Sequence, residues 1–515
     1  MALRSTIDSN EFRYSIAREI SPGVVDSTVT WLPIDINAAN DLGPNIRTVE
    51  RETISQGRVR QKGVAVGIDV NGGYDFDVTL DDTTFLMLSS MYLNTLRDKN
   101  DTSVAVTTTS EYQPAAGGDS FVANDLIFAK NFDDVATNGL KTVTGTPTAT
   151  SVPVSETIVA GTGQVGIISR VGYAFASGDA GFDSTSQDLP RLTTTTKDLT
   201  TLGLNVGEWV YVGDPTTVGN RFDTAGTNGW YRIFRITANY LEFDNTRNAS
   251  PLADDAGVGK TIRIWFGRVA KNETLQSRST FQIEAVMGNP DFAVVTPDPE
   301  QAMYIVGGLP GEFQFNMDAQ DIIRSTMSFL FQDVEVQLQG TPLKAGTRQA
   351  ASPGDALNTT NDVGFLSVGE PDNTSPFTTE LYECYQQFNW SINNNLTGNT
   401  AITVFGNKSV TAGQFDVNIE ATSYFQTPRA ITLVRTNADL QATMGLIRGN
   451  KGYILDCPVV TAGGALPEPS PGAPVTSSIT LRGSTGSRYD TQMDHTMLVS
   501  FFDYLPTGTS PNVNQ

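Results

Sequence analysis

Residues Val64–Phe85 read VAVGIDVNGGYDFDVTLDDTTF. Val64, Val66, Ile68 and Val70, then Tyr74, Phe76, Val78 and Leu80, occupy even positions, whereas Asp69, Asp75, Asp77 and Asp81 occupy odd ones. Successive strand side chains point to opposite faces, so this period of two predicts an apolar face against a core and an acidic face against water. Asn71-Gly72-Gly73 permits either a hairpin or one long bulged strand, and both preserve the faces. The device returns late in the chain. FDVTLDDTTF (Phe76–Phe85) aligns without gaps on FDVNIEATSY (Phe415–Tyr424), which reads as an internal duplication. Phe76, Val78, Leu80, Phe415, Val417 and Ile419 are thus expected in the core. Asp75, Asp77, Asp81, Asp416 and Glu420 are expected on the opposite face.

The bulk composition agrees with this strand reading. A chain of 515 residues exceeds one core and suggests about three domains. With 47 glycines, 25 prolines, abundant Thr and Ser and few stretches of helical spacing, the fold class is all-β. The net charge of −22 repels phosphate, which disfavours tight nucleic-acid binding through a basic surface. Cys384 and Cys457 alone cannot build a disulfide scaffold, and both are expected as buried small hydrophobes. Neither a signal peptide nor a membrane-spanning run is expected.

Five segments follow from the shifts in composition. Residues 1–50 are polar, broken by Pro22, Pro33 and Pro44, and read as an extended arm. Arg58, Arg60 and Lys62 then form a basic patch that suits either a guarded strand edge or an acidic neighbour. Residues 51–150 form a first domain, with one short helix over Thr83–Leu96 behind Asp82-Thr83-Thr84 and with Met87 and Met91 as core filler. Low complexity over 101–200 suggests long surface loops. Residues 151–275 hold short aromatic strands, a small inserted barrel or sandwich whose core Trp209, Trp230 and Trp265 would fill. A second strand-rich domain spans 276–465 and includes the alternating Phe388-Asn-Trp390-Ser-Ile392. Residues 466–515 comprise a Pro/Gly linker, begun by AGGALPEPSPGAP from Ala462, and closing strands.

Catalytic motifs fail on chemistry. Asp254–Thr261 (DDAGVGKT) imitates a phosphate loop, yet Asp254 stands where the first glycine must wrap a phosphate and a strand follows where a helix is needed. It is expected as a turn. His495 is the one histidine, and an exposed or capping role is expected for it. One His with two distant Cys cannot ligate zinc, and the acidic pairs lack calcium-loop spacing. No cofactor, metal or catalytic residue is therefore assigned. What remains is an acidic strand face used twice: either the wet side of an antiparallel sheet or the wall of a water-filled channel.

The chain resembles the tail tube (major tail) proteins of long-tailed bacteriophages, of the two-lobed kind. The resemblance is carried by Ser21-Pro22-Gly23, Thr30-Trp31-Leu32-Pro33, Ser55-Gln-Gly-Arg58-Val-Arg60 and the Phe76–Leu80 strand. It continues through LGLNVGEWVYV (Leu202–Val212), FNWSINNNL (Phe388–Leu396) and VTAGQFDV (Val410–Val417). It implies duplicated tube-type β-sandwich domains with one short helix and a small inserted domain as outer decoration. It also implies trimeric, pseudo-hexameric rings stacked axially by the arm and the 462–474 loop. Asp75, Asp77, Asp81, Asp416 and Glu420 would then line the lumen. DNA and a tape-measure protein would occupy that lumen without tight binding, and tail terminator and tail tip proteins would meet its ends. The rival reading is a receptor- or carbohydrate-binding tail fibre or adhesin, which should show a clustered aromatic surface. A polysaccharide-cleaving enzyme would need a carboxylate pair that nothing singles out.

Overall fold

The computed structural model describes residues 7, 9–26, 28–51, 62–98, 101–161, 164–248, 251–272, 279–288, 300–338, 340–350, 354–371, 375–381 and 384–509. Arg58 and Arg60 lie outside the described residues. The chain divides into two compact units, each assembled from three segments: Met1–Asn94, Thr274–Thr359 and Gln387–Ala421, and Thr95–Glu273, Thr360–Gln386 and Thr422–Gln515.

The first unit is built on the quoted stretch. Val64–Asp77 is one bulged strand and not a hairpin. It pairs antiparallel with Ala38–Val49 on one side and with Arg324–Leu330 on the other. Arg324–Leu330 pairs in turn with the C-terminal half of Ala302–Asp318, and that half with Tyr385–Asn393. Asp416–Tyr424 lies beside the last strand, where Ser391 Oγ donates to the Asn418 carbonyl at 3.2 Å.

Alternation holds across this sheet. Tyr74 and Phe76, Met327 and Phe329, Phe313 and Phe315, Trp390 and Ile392, and Val417 and Ile419 are all buried. Rings of Phe76 and Phe313 meet edge to face at 5.9 Å, a geometry worth about 1 kcal/mol beyond area burial.

The expected arm docks as a second layer. Arg13–Arg18 lies between Thr30–Ile34 and Phe281–Val286, which pairs with the N-terminal half of Ala302–Asp318. One 17-residue strand thus serves both layers. It turns at Gly307, whose φ of +69° suits glycine and where a Cβ would come within 2.5 Å of the Gln332 side chain.

A helix covers the apolar side. Asp82–Met91 follows Asp81, whose Oδ1 accepts from the Thr84 amide at 2.7 Å and so satisfies one of the open N–H groups of the first turn. Met87 and Met91 are buried as expected, and the Tyr74 hydroxyl meets the Met87 sulfur at 2.6 Å. Asp81→Ala is expected to cost about 1 kcal/mol of stability by losing this cap, read from urea unfolding.

Where the sheet ends, one expectation fails. The register with Arg324–Leu330 stops at Asn71, so Val64–Gly67 pairs only with the end of Ala38–Val49 as a two-stranded ribbon. Val64 and Val66 are therefore 53% and 51% exposed, beside Ile46 at 57% and Val49 at 54%.

In the second unit, Val363–Glu370, Asp439–Arg448, Lys451–Glu468, Leu498–Phe502 and Arg268–Lys271 pair antiparallel in that order. The supposed linker is largely strand: Lys451–Glu468 runs through it and pairs with Thr476–Ser484, leaving a short turn between them. Pro467 is accommodated at this thinly paired end. A second helix, Arg429–Thr436, packs on Lys451–Glu468 through Ala430 and Leu433. Two buried positions over eight residues are too little periodicity to announce it.

Residues 102–265 form a separate 12-stranded sheet, so the Thr/Ser-rich text over 101–200 carries short strands as well as loops. Its strands enclose two apolar cores. Trp209, Trp230 and Trp265 are buried in neither. They point to the other face and pack with Phe365, Ile447, Ile454 and Phe502, because alternation places Val210, Val212, Tyr231 and Ile264 in the barrel core instead.

Candidate functional site

The candidate site is the polar face of the sheet in the first unit. Residues opposite one another in register share a face. Asp77 stands across from Arg324, and Asp75 across from Thr326. Thr326 then faces Gln314, and Arg324 faces Asn316. Glu312, Gln314 and Asn316 face Asn393, Ser391 and Asn389, and Asp318 faces Gln387. Asp416, Asn418 and Glu420 extend the polar row, since Val417 and Ile419 take the buried side and Phe415 meets Tyr92 at the helix end, the rings tilted and 5.6 Å apart. Among the described residues, seven carboxylates, Asp69, Asp75, Asp77, Glu312, Asp318, Asp416 and Glu420, thus share this face with the guanidiniums of Arg324 and of Arg47, which pairs with Asp69 at 3.4 Å.

Neutral donors tie these carboxylates down. Asp75 Oδ1 accepts from Asn40 Nδ2 at 2.9 Å and from Thr326 Oγ1 at 2.8 Å. Asp77 accepts from Asn37 at 2.8 Å, Asp416 from Asn395 at 2.8 Å and Glu420 from Asn418 at 3.4 Å. Amides and hydroxyls hold each carboxylate in place without cancelling its charge. The face stays anionic and hydrogen-bonded within itself.

Four of the five acids named from sequence are therefore brought onto one face. Asp81 lies past the strand end at Asp77 and caps the helix, with Thr79 Oγ1 also donating to its Oδ2 at 2.8 Å. On the core side, Phe76, Val78, Val417 and Ile419 are buried, while Leu80 and Phe415 are half-buried. The two copies of the duplicated motif share a layout, a strand that leads into a helix: Val64–Asp77 into Asp82–Met91, and Asp416–Tyr424 into Arg429–Thr436. Glu312 and Asp318 were missed. The alternation of Phe313, Phe315 and Met317 around them held the signal.

Residues set aside on chemical grounds behave in three ways. Asp254–Thr261 is a turn, with the Asp255 carboxylate accepting from the Gly257 amide at 2.9 Å and Lys260 paired to Asp223 at 2.6 Å. Cys457 is buried, and burial pushes its thiol up, whereas Cys384 is exposed, against expectation. His495 is neither exposed nor capping. It is fully buried, because closely packed strands and turns of the second unit surround it. No cluster of three or more His, Cys, Asp or Glu side chains that could hold a metal occurs among the described residues.

A family model for the phage tail tube protein matches residues 9–484, most of the chain, and the chain belongs to that family. No curated protein matches it. It is a structural component of the virion tail, and its family membership carries oligomeric assembly into a tube.

Proposed function

We propose that the polar face of the first unit lines the tube's lumen, with Asp75, Asp77, Asp416 and Glu420 toward the pore. The observation that carries this reading is the seven-to-two excess of carboxylates over guanidiniums on that face. Duplex DNA bears one charge per ~1.7 Å of axis, so an anionic wall repels it and lets it slide. The two-lobed chain, assembled in the host cytoplasm, closes three to a ring. A pseudo-hexameric trimer repeats one interface around the axis and leaves no open end. The rings stack axially and enclose a tape-measure protein and later DNA, and tail terminator and tail tip proteins cap the ends.

Stacking needs a surface on each subunit. The bared aliphatic row Val49, Val64 and Val66, with Val49 and Val64 opposite one another in register, fits that role, because a two-stranded ribbon has no layer of its own to cover it.

Electron microscopy of the purified protein should show rings and stacked tubes. Virions carrying Asp77→Lys, Asp416→Lys and Glu420→Lys together should assemble but eject DNA at least about tenfold more slowly, since fixed cations hold phosphates by counterion release. Ejection at the unaltered rate would sink the lumen assignment.

A further inference from the structure

His495 is buried within the second unit, where strands and a turn converge on its ring. The imidazole has 0% exposure, and neither ring nitrogen has a hydrogen-bond partner. The ring lies against the turn at Gly207, where φ is +87° and a Cβ would come within 2.4 Å of Cε1. Only glycine leaves room there.

The segment that carries the histidine is clasped shut. The Gly486 amide donates to the His495 carbonyl at 2.8 Å. Asn272 Oδ1 accepts from the amides of Thr496 and Met497 at 2.9 and 3.0 Å, and Arg488 pairs with Asp439 at 3.2 Å.

Charged groups face the ring from every side. Lys271 comes from Arg268–Lys271, Asp494 from its own segment, Asp456 from Lys451–Glu468 and Arg232 from Gly229–Ile236. Glu208, next to Gly207, is committed to Arg97. None offers the imidazole an acceptor. The nearest, Asp494 Oδ1, stands 4.0 Å from Nδ1 and is already bound to Lys271 Nζ at 2.9 Å. A proton on either nitrogen would place a bare cation in a dry site beside another cation.

We propose that His495 is an acid-sensitive latch: when protonated it leaves its pocket against Gly207, and segment 485–497 opens away from the 203–208 turn. Burial, and then Lys271, hold its pKa down at about 4 instead of 6.5. The sign follows from linkage. A depressed folded-state value means that the closed form is fully stabilised above about pH 6.5, and that this stabilisation is lost as the pH falls toward about 4. Between pH 8 and pH 5 the opening equilibrium should rise about 30-fold, from the ratio of protonated fractions in the open and closed forms.

Hydrogen exchange of the full chain, corrected for intrinsic rate, tests this on peptides covering 203–209 and 485–497. Wild type should lose about 30-fold protection in both peptides at pH 5, while His495→Met should change less than about threefold over the same range. Equal acid sensitivity in wild type and His495→Met would overturn the proposal. Lys271→Met is the second arm, since it leaves the histidine in place and removes the nearest cation. It should blunt the acid response, with less protection lost at pH 5 than in wild type, because the closed form then tolerates the proton better, and an unchanged loss would equally overturn the latch. Both readouts are independent of tube formation.

Discussion

Arg232→Met is expected to destabilise the second unit by roughly 3–5 kcal/mol, enough to leave much of it unfolded at 37 °C. Arg232 is entirely buried, and so are the two carboxylates it serves. Its Nε and Nη2 bond Asp244 at 2.9 and 2.8 Å, its Nη1 bonds Asp456 at 3.0 Å, and Nη2 also reaches Gln441 Oε1 at 2.9 Å. Burial works against charge on the guanidinium, but the two carboxylates outweigh it and hold its pKa above the ordinary value. Burial also pushes Asp244 up while Arg232 pulls it back.

Methionine fills a similar volume and removes the cation, so two carboxylates remain without a counter-charge in a dry site. That residual charge is the source of the loss. A triple variant, Arg232→Met with Asp244→Leu and Asp456→Leu, should recover most of the stability, because an all-apolar replacement strands nothing. Chemical denaturation of the three proteins decides the matter. If the single variant loses less than about 1 kcal/mol, the network contributes little and this account of the junction is wrong.

The network also shows why part of the fold was hidden from the sequence. Arg232 and Asp244 belong to the short aromatic strands, and Asp456 lies more than 200 residues further on, at |i−j| of 224 from Arg232. No local pattern pairs them. In contrast, the strand Val64–Asp77, the Phe388–Ile392 alternation and the acidic face were all legible, since each is a period-two pattern that needs only its own neighbours.

The misplaced tryptophans lie between these cases. Their burial could be read from Trp209, Trp230 and Trp265 themselves, but the face they occupy depends on which of two cores claims those positions. Asp81 shows a similar limit. It continues the odd-number parity of Asp75 and Asp77, but the strand ends before it, and a carboxylate three residues ahead of the Thr84 amide is better used as a helix cap. His495 was misjudged for a further reason. Solitary polar residues are most often exposed, and nothing local signalled that Gly207 would make room for the ring.

Val64 and Val66 bring the same limit to assembly. Parity placed them in the core, and they are apolar for a reason that the isolated chain does not satisfy. With half of each side chain bare on Val49, Val64 and Val66, covering the row would stabilise each contact by about 1 kcal/mol per residue. That sum, roughly 3 kcal/mol, corresponds to about a hundredfold or somewhat more in an association constant.

Val64→Asp with Val66→Asp should therefore abolish tube formation at concentrations where wild type polymerises, and raise the critical concentration at least about 100-fold. Each carboxylate would otherwise be desolvated without a partner at every contact along the tube. The monomer should be spared, because both positions face water in the single chain. Circular dichroism and the urea midpoint should match wild type, while sedimentation and negative-stain microscopy report only small species. Tubes of normal length from the double variant would show that the ribbon face lies outside the contact. A loss of both assembly and fold would be separated by Val64→Thr with Val66→Thr, which keeps the β-branched shape and strand propensity and should weaken polymerisation without touching stability.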